Sequence, residues 1–134
     1  MMVQRGMEII ALVLGAAALA LIFAPELVIA QFSMEPSAGA VLVGQLYGGA
    51  LFGIAMTTWF ARTMLLGGIY GRSVVAGGFA HALVGAFALA HVLRALFANA
   101  FVWTGFVAYA ALAAWFAWLM FGSGPRASSI DPHA

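Results

Sequence analysis

Four apolar runs, residues 8–24, 40–61, 74–95 and 101–121, occupy most of this chain and are parted only by short links. About 20 helical residues cross the roughly 30 Å of bilayer hydrocarbon, so each run is long enough to span it. Inside hydrocarbon every backbone N–H and C=O must be satisfied within its own segment, and barrel strands would alternate in hydrophobicity instead of staying continuously apolar. The runs therefore predict an all-α, integral membrane four-helix bundle with up-and-down topology. Composition agrees: 66% of residues are hydrophobic and 7% are charged, against about a quarter charged in soluble domains, and mean hydropathy is +1.10.

No repeat or second domain is visible. Residues 1–121 read as one transmembrane domain and residues 122–134 as a polar cytoplasmic tail of Gly, Ser and Pro character. Arg5 before the first run and Val28-Ile29-Ala30 after it resemble a signal peptide, but the run is read as a retained helix. Arg5, Arg62, Arg72 and Arg126 fall at one side of the four crossings and Arg94 at the other, which places both termini in the cytoplasm. The first link, residues 25–39, carries Glu26 and Glu35 without a positive charge, and Pro25 and Pro36 bracket an expected short interfacial helix. Trp59, Trp103, Trp115 and Trp118 lie near helix ends, where indoles anchor in the headgroup zone. With Arg62, Arg72 and Arg94 they are the expected contacts to the membrane interface or to partners, Arg62 and Arg72 touching anionic lipid.

The second run holds two small-xxx-small spacings, Gly44 with Gly48 and Gly49 with Gly53, read as lying on neighbouring faces. Small residues there let another helix approach closely; the expected partner is the third or fourth run, or another protein. The phrases "FAPELV", "QLYGGALFGIAMTTWFAR" and "LGGIYGRSVVAGGFAHALVGAFAL" resemble an uncharacterised family of small bacterial four-helix integral membrane proteins, DoxX-like in layout. The resemblance covers roughly residues 8–96 and leaves the last run and the tail uncovered. It implies a multi-pass protein of the bacterial cytoplasmic membrane and implies no activity.

His81 and His91 are the polar residues that most need explaining in the third run. Ten positions apart, they are separated by about 15 Å of rise and do not share an ion. His81 is expected level with Tyr109 near the midplane, and His91 level with Gln45, Tyr47 and Thr104. One reading is tetrapyrrole ligation, haem or bacteriochlorophyll, at His81, with His91 the weaker candidate. Neutral imidazole suits an axial position, and Gly77, Gly78 and Gly85 would leave room for a macrocycle. A bis-histidine haem would need a second chain, because no other run carries histidine. The plainer reading is a buried histidine satisfied by a hydroxyl, amide or carbonyl. His91 with Arg94 one turn on also suits a lipid or cofactor headgroup, or simple snorkelling to the surface.

Cysteine and lysine are absent, which excludes disulfides and thiol chemistry. Glu8, Glu26, Glu35 and Asp131 all fall at ends or links, so no nucleophile and base are set together within the spans. Gly67-Gly68-Ile69-Tyr70-Gly71-Arg72 lacks the lysine and preceding strand of a phosphate loop and reads as a cytoplasmic turn. A net charge of +1 gives no reason to expect nucleic acid. The expectation is a small non-catalytic accessory or structural subunit of a larger membrane complex, respiratory or photosynthetic, whose partners are membrane subunits and lipids. Pigment or haem binding at His81 is the alternative, and a stand-alone carrier of a small lipophilic molecule is a third.

Overall fold

The computed structural model describes residues 2–63, 69–95 and 99–122. They form five helices, α1 (Met2–Phe23), α2 (Pro25–Gln31), α3 (Ala38–Ala61), α4 (Ile69–Ala95) and α5 (Ala100–Gly122). All but α2 are long and apolar enough to cross a membrane, the architecture of a multi-pass membrane protein. The expectations for the Gly67-Gly68 turn, for Arg126 and for the polar tail beyond Gly122 fall outside the described residues.

Local chemistry sets the helix ends. Pro25 opens α2 at a first-turn position where its missing N–H costs nothing, so the short helix expected after the first span is present. Ser33, in the left-handed conformation (φ 57°), turns the chain beyond it. Ser37 caps α3, its Oγ accepting from Ala40 N at 3.2 Å, and Asn99 caps α5 by accepting from Val102 N at 2.9 Å. Two helices start earlier than the apolar runs suggest: α1 at Met2 instead of residue 8, and α4 at Ile69 instead of residue 74. Hydropathy marks only the hydrocarbon segment. Helical bonding satisfies the backbone equally well through Arg5 and through Gly71-Arg72-Ser73, whose arginines reach out from the helix surface.

The helices associate as two close antiparallel pairs, α1 with α3 and α4 with α5, while the pairs touch each other lightly. In the first pair Gly48 faces Ala18 and Leu21, Gly15 faces Ala55, and Gly44 faces Pro25. In the second, aromatic rings of α5 lie over glycines of α4, Phe116 on Gly78 and Tyr109 on Gly85. Where the pairs meet, Met7, Ala61, Val75, Phe116 and Leu119 gather from all four long helices into one buried cluster. That cluster puts the start of α1 and the end of α5 at the same end of the bundle.

The partner of the Gly44 and Gly48 face is thus α1, not the third or fourth span. The two glycine pairs are also not neighbours: five residues turn a helix by about 140°, so Gly49 and Gly53 point away, and among the described residues a Cβ on either would meet nothing within 4 Å beyond its own helix backbone. A Cβ on Gly48 would lie 2.9 Å from Leu21 Cβ and 3.1 Å from the Ala18 carbonyl. Gly48→Leu should therefore destabilise the bundle by about 1–3 kcal/mol through overpacking, read as reversible unfolding in mixed micelles.

Candidate functional site

Three polar side chains converge from three helices at the seam between the helix pairs, His81 and Tyr109 partly buried and Tyr47 exposed on its outer side. α4 runs from Ile69 to Ala95, so His81 falls close to its middle. There its half-buried ring stacks on Tyr47 of α3 (centroids 6.1 Å apart, planes at 26°) and tilts against Tyr109 of α5 (5.6 Å, 51°). The hydroxyls of Tyr47 and Tyr109 hydrogen-bond to each other, and Tyr109 Oη lies 3.4 Å from His81 Nε2. Each phenol carries one proton to donate, so the chain has two consistent polarities: Tyr47 to Tyr109 to His81, or the reverse with the imidazole N–H donating. Such chains strengthen cooperatively where water is absent.

Tyr109 stands level with His81 as expected, whereas Tyr47 does so in place of His91. The earlier start of α4 moves its centre about 4 Å toward His81, a part of the roughly 15 Å between the two histidines; the rest is an offset between helices that hydropathy does not encode. Gln45 and Thr104 do not turn to a histidine. Gln45 Nε2 donates to the Ile22 carbonyl at 3.3 Å, and Thr104 Oγ1 donates to the Ala100 carbonyl of its own helix at 2.8 Å. The room expected beside His81 is largely taken, since Phe116 covers Gly78 and Tyr109 covers Gly85; only Gly77 opens on unfilled space. An axial bond from Nε2 would have to displace the Tyr109 hydroxyl. Among the described residues no three His, Cys, Asp or Glu side chains cluster as metal ligands.

The remaining residues singled out by the sequence spread over the two ends. Arg62, at the end of α3, pairs with Glu8 of α1 (Nε to Oε1 3.3 Å), donates through Nη1 to the Trp59 carbonyl at 2.6 Å, and lies 4.0 Å from the centroid of the Trp59 ring. That fixes α1 against α3, a role hydropathy could not show, because Glu8 and Arg62 are far apart in sequence. Arg72 is exposed in the first turn of α4. Trp118 is exposed, and Trp103, also exposed, meets Phe106 edge-on. Trp115 is more than an anchor. Its ring covers Gly6 of α1, and its Nε1 is buried without an acceptor. Exposed His91 and Arg94 line a groove of about 570 Å³ between α4 and α5. A second cleft of about 460 Å³ separates α1 from α5 and is apolar apart from the edges of Tyr109 and Trp115.

Fold and site together define a multi-pass helical membrane protein with a phenol–phenol–imidazole cluster between its two helix pairs. The chain matches no family model, no curated protein and no solved structure.

Tyr109→Phe should cost about 0.6–1.7 kcal/mol, the range for interhelical hydrogen bonds in a bilayer. Tyr47→Phe should add little on top of it, because both changes remove the same hydroxyl pair. A double-mutant cycle on unfolding in bicelles measures this coupling, and strict additivity would disprove the shared bond.

Proposed function

We propose that this chain is a small non-catalytic accessory subunit of a larger assembly in a bacterial cytoplasmic membrane, docked through the outer face of α3. The observation that carries the reading is the open pair Gly49 and Gly53. They lie along one stripe with Leu42, Leu46, Met56 and Phe60, all exposed in the isolated chain. Exposed apolar side chains by themselves are ordinary in lipid. Two adjacent glycines flanked by large side chains form a shallow seat, however, and the alternating spacing of three and four is that of a helix-packing seam. Gly44 and Gly48 already serve α1 on the far side of the same helix, so this second seat is free for a transmembrane helix of another subunit.

Arginine placement sets the orientation in this reading. Arg5, Arg62 and Arg72 belong to the end where α1 starts and α3 stops, and positive residues favour the cytoplasm. Both termini are then cytoplasmic, with Arg62, Arg72 and the polar tail supplying the docking contacts there. The DoxX-like layout accords with such a bundle and adds no activity. The apolar cleft between α1 and α5 favours a second reading, a stand-alone carrier of a small lipophilic molecule held by shape alone.

Native mass spectrometry on untagged membrane extract separates the two. The subunit reading expects the chain in a stoichiometric complex. It also expects Gly49→Leu with Gly53→Leu to release the chain while leaving its own helicity and unfolding transition unchanged, since among the described residues no atom outside the helix's own backbone lies within 4 Å of a Cβ at either position. A solitary chain carrying an apolar molecule would favour the carrier instead.

A further inference from the structure

The groove between α4 and α5 carries a polarity that helix docking on α3 leaves unused. Ala86 and Ala90 of α4 and Ala110 of α5 contribute little bulk to it, which gives it depth, and Phe87 and Phe106 border it. It extends from Leu83, near the middle of α4, to His91 and Arg94 in the last turns of that helix. Over that distance the helix rises about 16 Å, close to half of the roughly 30 Å hydrocarbon thickness. This is the reach of one acyl chain from headgroup level to the bilayer centre.

The headgroup end of the groove carries one cation. Arg94 is exposed, and although Glu26 and Glu35 lie in the link at the same end of the bundle, the ion pair present among the described residues is Arg62 with Glu8, at the opposite end, so neither carboxylate is paired with Arg94. A guanidinium offers parallel donors that match a phosphate, and His91 one turn earlier offers an N–H in either tautomer. The α1/α5 cleft has no charged group and selects no headgroup. From this combination of charge and length we infer that the α4/α5 groove seats one acyl chain of an anionic phospholipid, with its phosphate held by Arg94 and His91.

The test uses the full chain purified in neutral detergent and examined by native mass spectrometry after addition of phosphatidylglycerol or phosphatidylcholine with identical acyl chains. One phosphatidylglycerol should remain bound in preference to phosphatidylcholine. Arg94→Gln should lower phosphatidylglycerol retention about fivefold, the equivalent of the roughly 1 kcal/mol contributed by one interfacial cation, and should lower phosphatidylcholine retention less, because the choline cation already offsets the phosphate that both lipids share. Ala90→Phe fills the groove without changing charge and should lower retention of both lipids. If Ala90→Phe fails to fold, Phe87→Ala removes an exposed border residue and should also lower both. Equal retention of the two lipids by the unaltered chain, or undiminished phosphatidylglycerol binding in Arg94→Gln, would overturn the assignment. So would displacement of the bound lipid by an equal concentration of inorganic phosphate, because the site would then be one for a free anion with no acyl seat.

Discussion

Lipid supplies no hydrophobic force between helices, so this bundle holds together only where backbones approach closely or polar groups meet. Both devices are visible, and they divide the work. Within each pair the approach is made at glycine: Gly48 lies under Leu21, and Gly78 and Gly85 lie under Phe116 and Tyr109. The polar bonds are spaced along the bundle axis. Glu8 and Arg62 join α1 to α3 at one end, and the Tyr47, Tyr109 and His81 cluster joins three helices near the middle. At the far end Gln45 donates to the Ile22 carbonyl, and Asn99 donates to the Gln31 carbonyl, tying the start of α5 to α2. The two end levels both hold α1 to α3, the far one adding α2 to α5, and the middle level holds α3 to α4 and α5, so no single bond carries the assembly.

Much of the architecture was legible because membrane spans are selected by one variable, apolar length. The four long helices follow from it, and Pro25 and Pro36 mark the short α2 between the first two; the caps at Ser37 and Asn99 come from the structure. Register was not legible. A hydropathy run says how much chain lies in hydrocarbon but not at what depth a residue of one helix meets the next, so the level expected for Tyr47, with His91, gives way to a stack on His81. The glycine partner was missed for a related reason. Gly44 and Gly48 fit any close helix, and what selects α1 is the row of Ala18, Leu21 and Ile22 opposite them, continued by Pro25 of α2, a pattern with no mark of its own in an apolar sequence. The Glu8–Arg62 pair needed the same knowledge of which helices adjoin.

The light contact between the two pairs has a structural consequence. Close packing inside each pair uses the small residues, and between the pairs the distance is bridged by large side chains: Met7 and Phe116 in the shared cluster, Trp115 over Gly6. Rings and thioether chains span a gap without filling it along its whole length. The α1/α5 cleft is the unfilled remainder of that seam.

That seam also explains why a polar cluster belongs there. Apolar contact in lipid is nearly indifferent to sliding, since a shift of one helix turn exchanges one set of alanines and leucines for another of similar bulk. A hydrogen-bonded chain of two phenols and an imidazole forms only at the depth where all three side chains meet, and a shift in either direction leaves polar groups unpaired in hydrocarbon. The cluster thus fixes the register of α3 against α4 and α5, as a lone buried polar residue fixes the register of a coiled coil. Because Tyr109 both covers Gly85 and holds the two hydrogen bonds, the side chain that seals the second pair is also the one that locks it to the first.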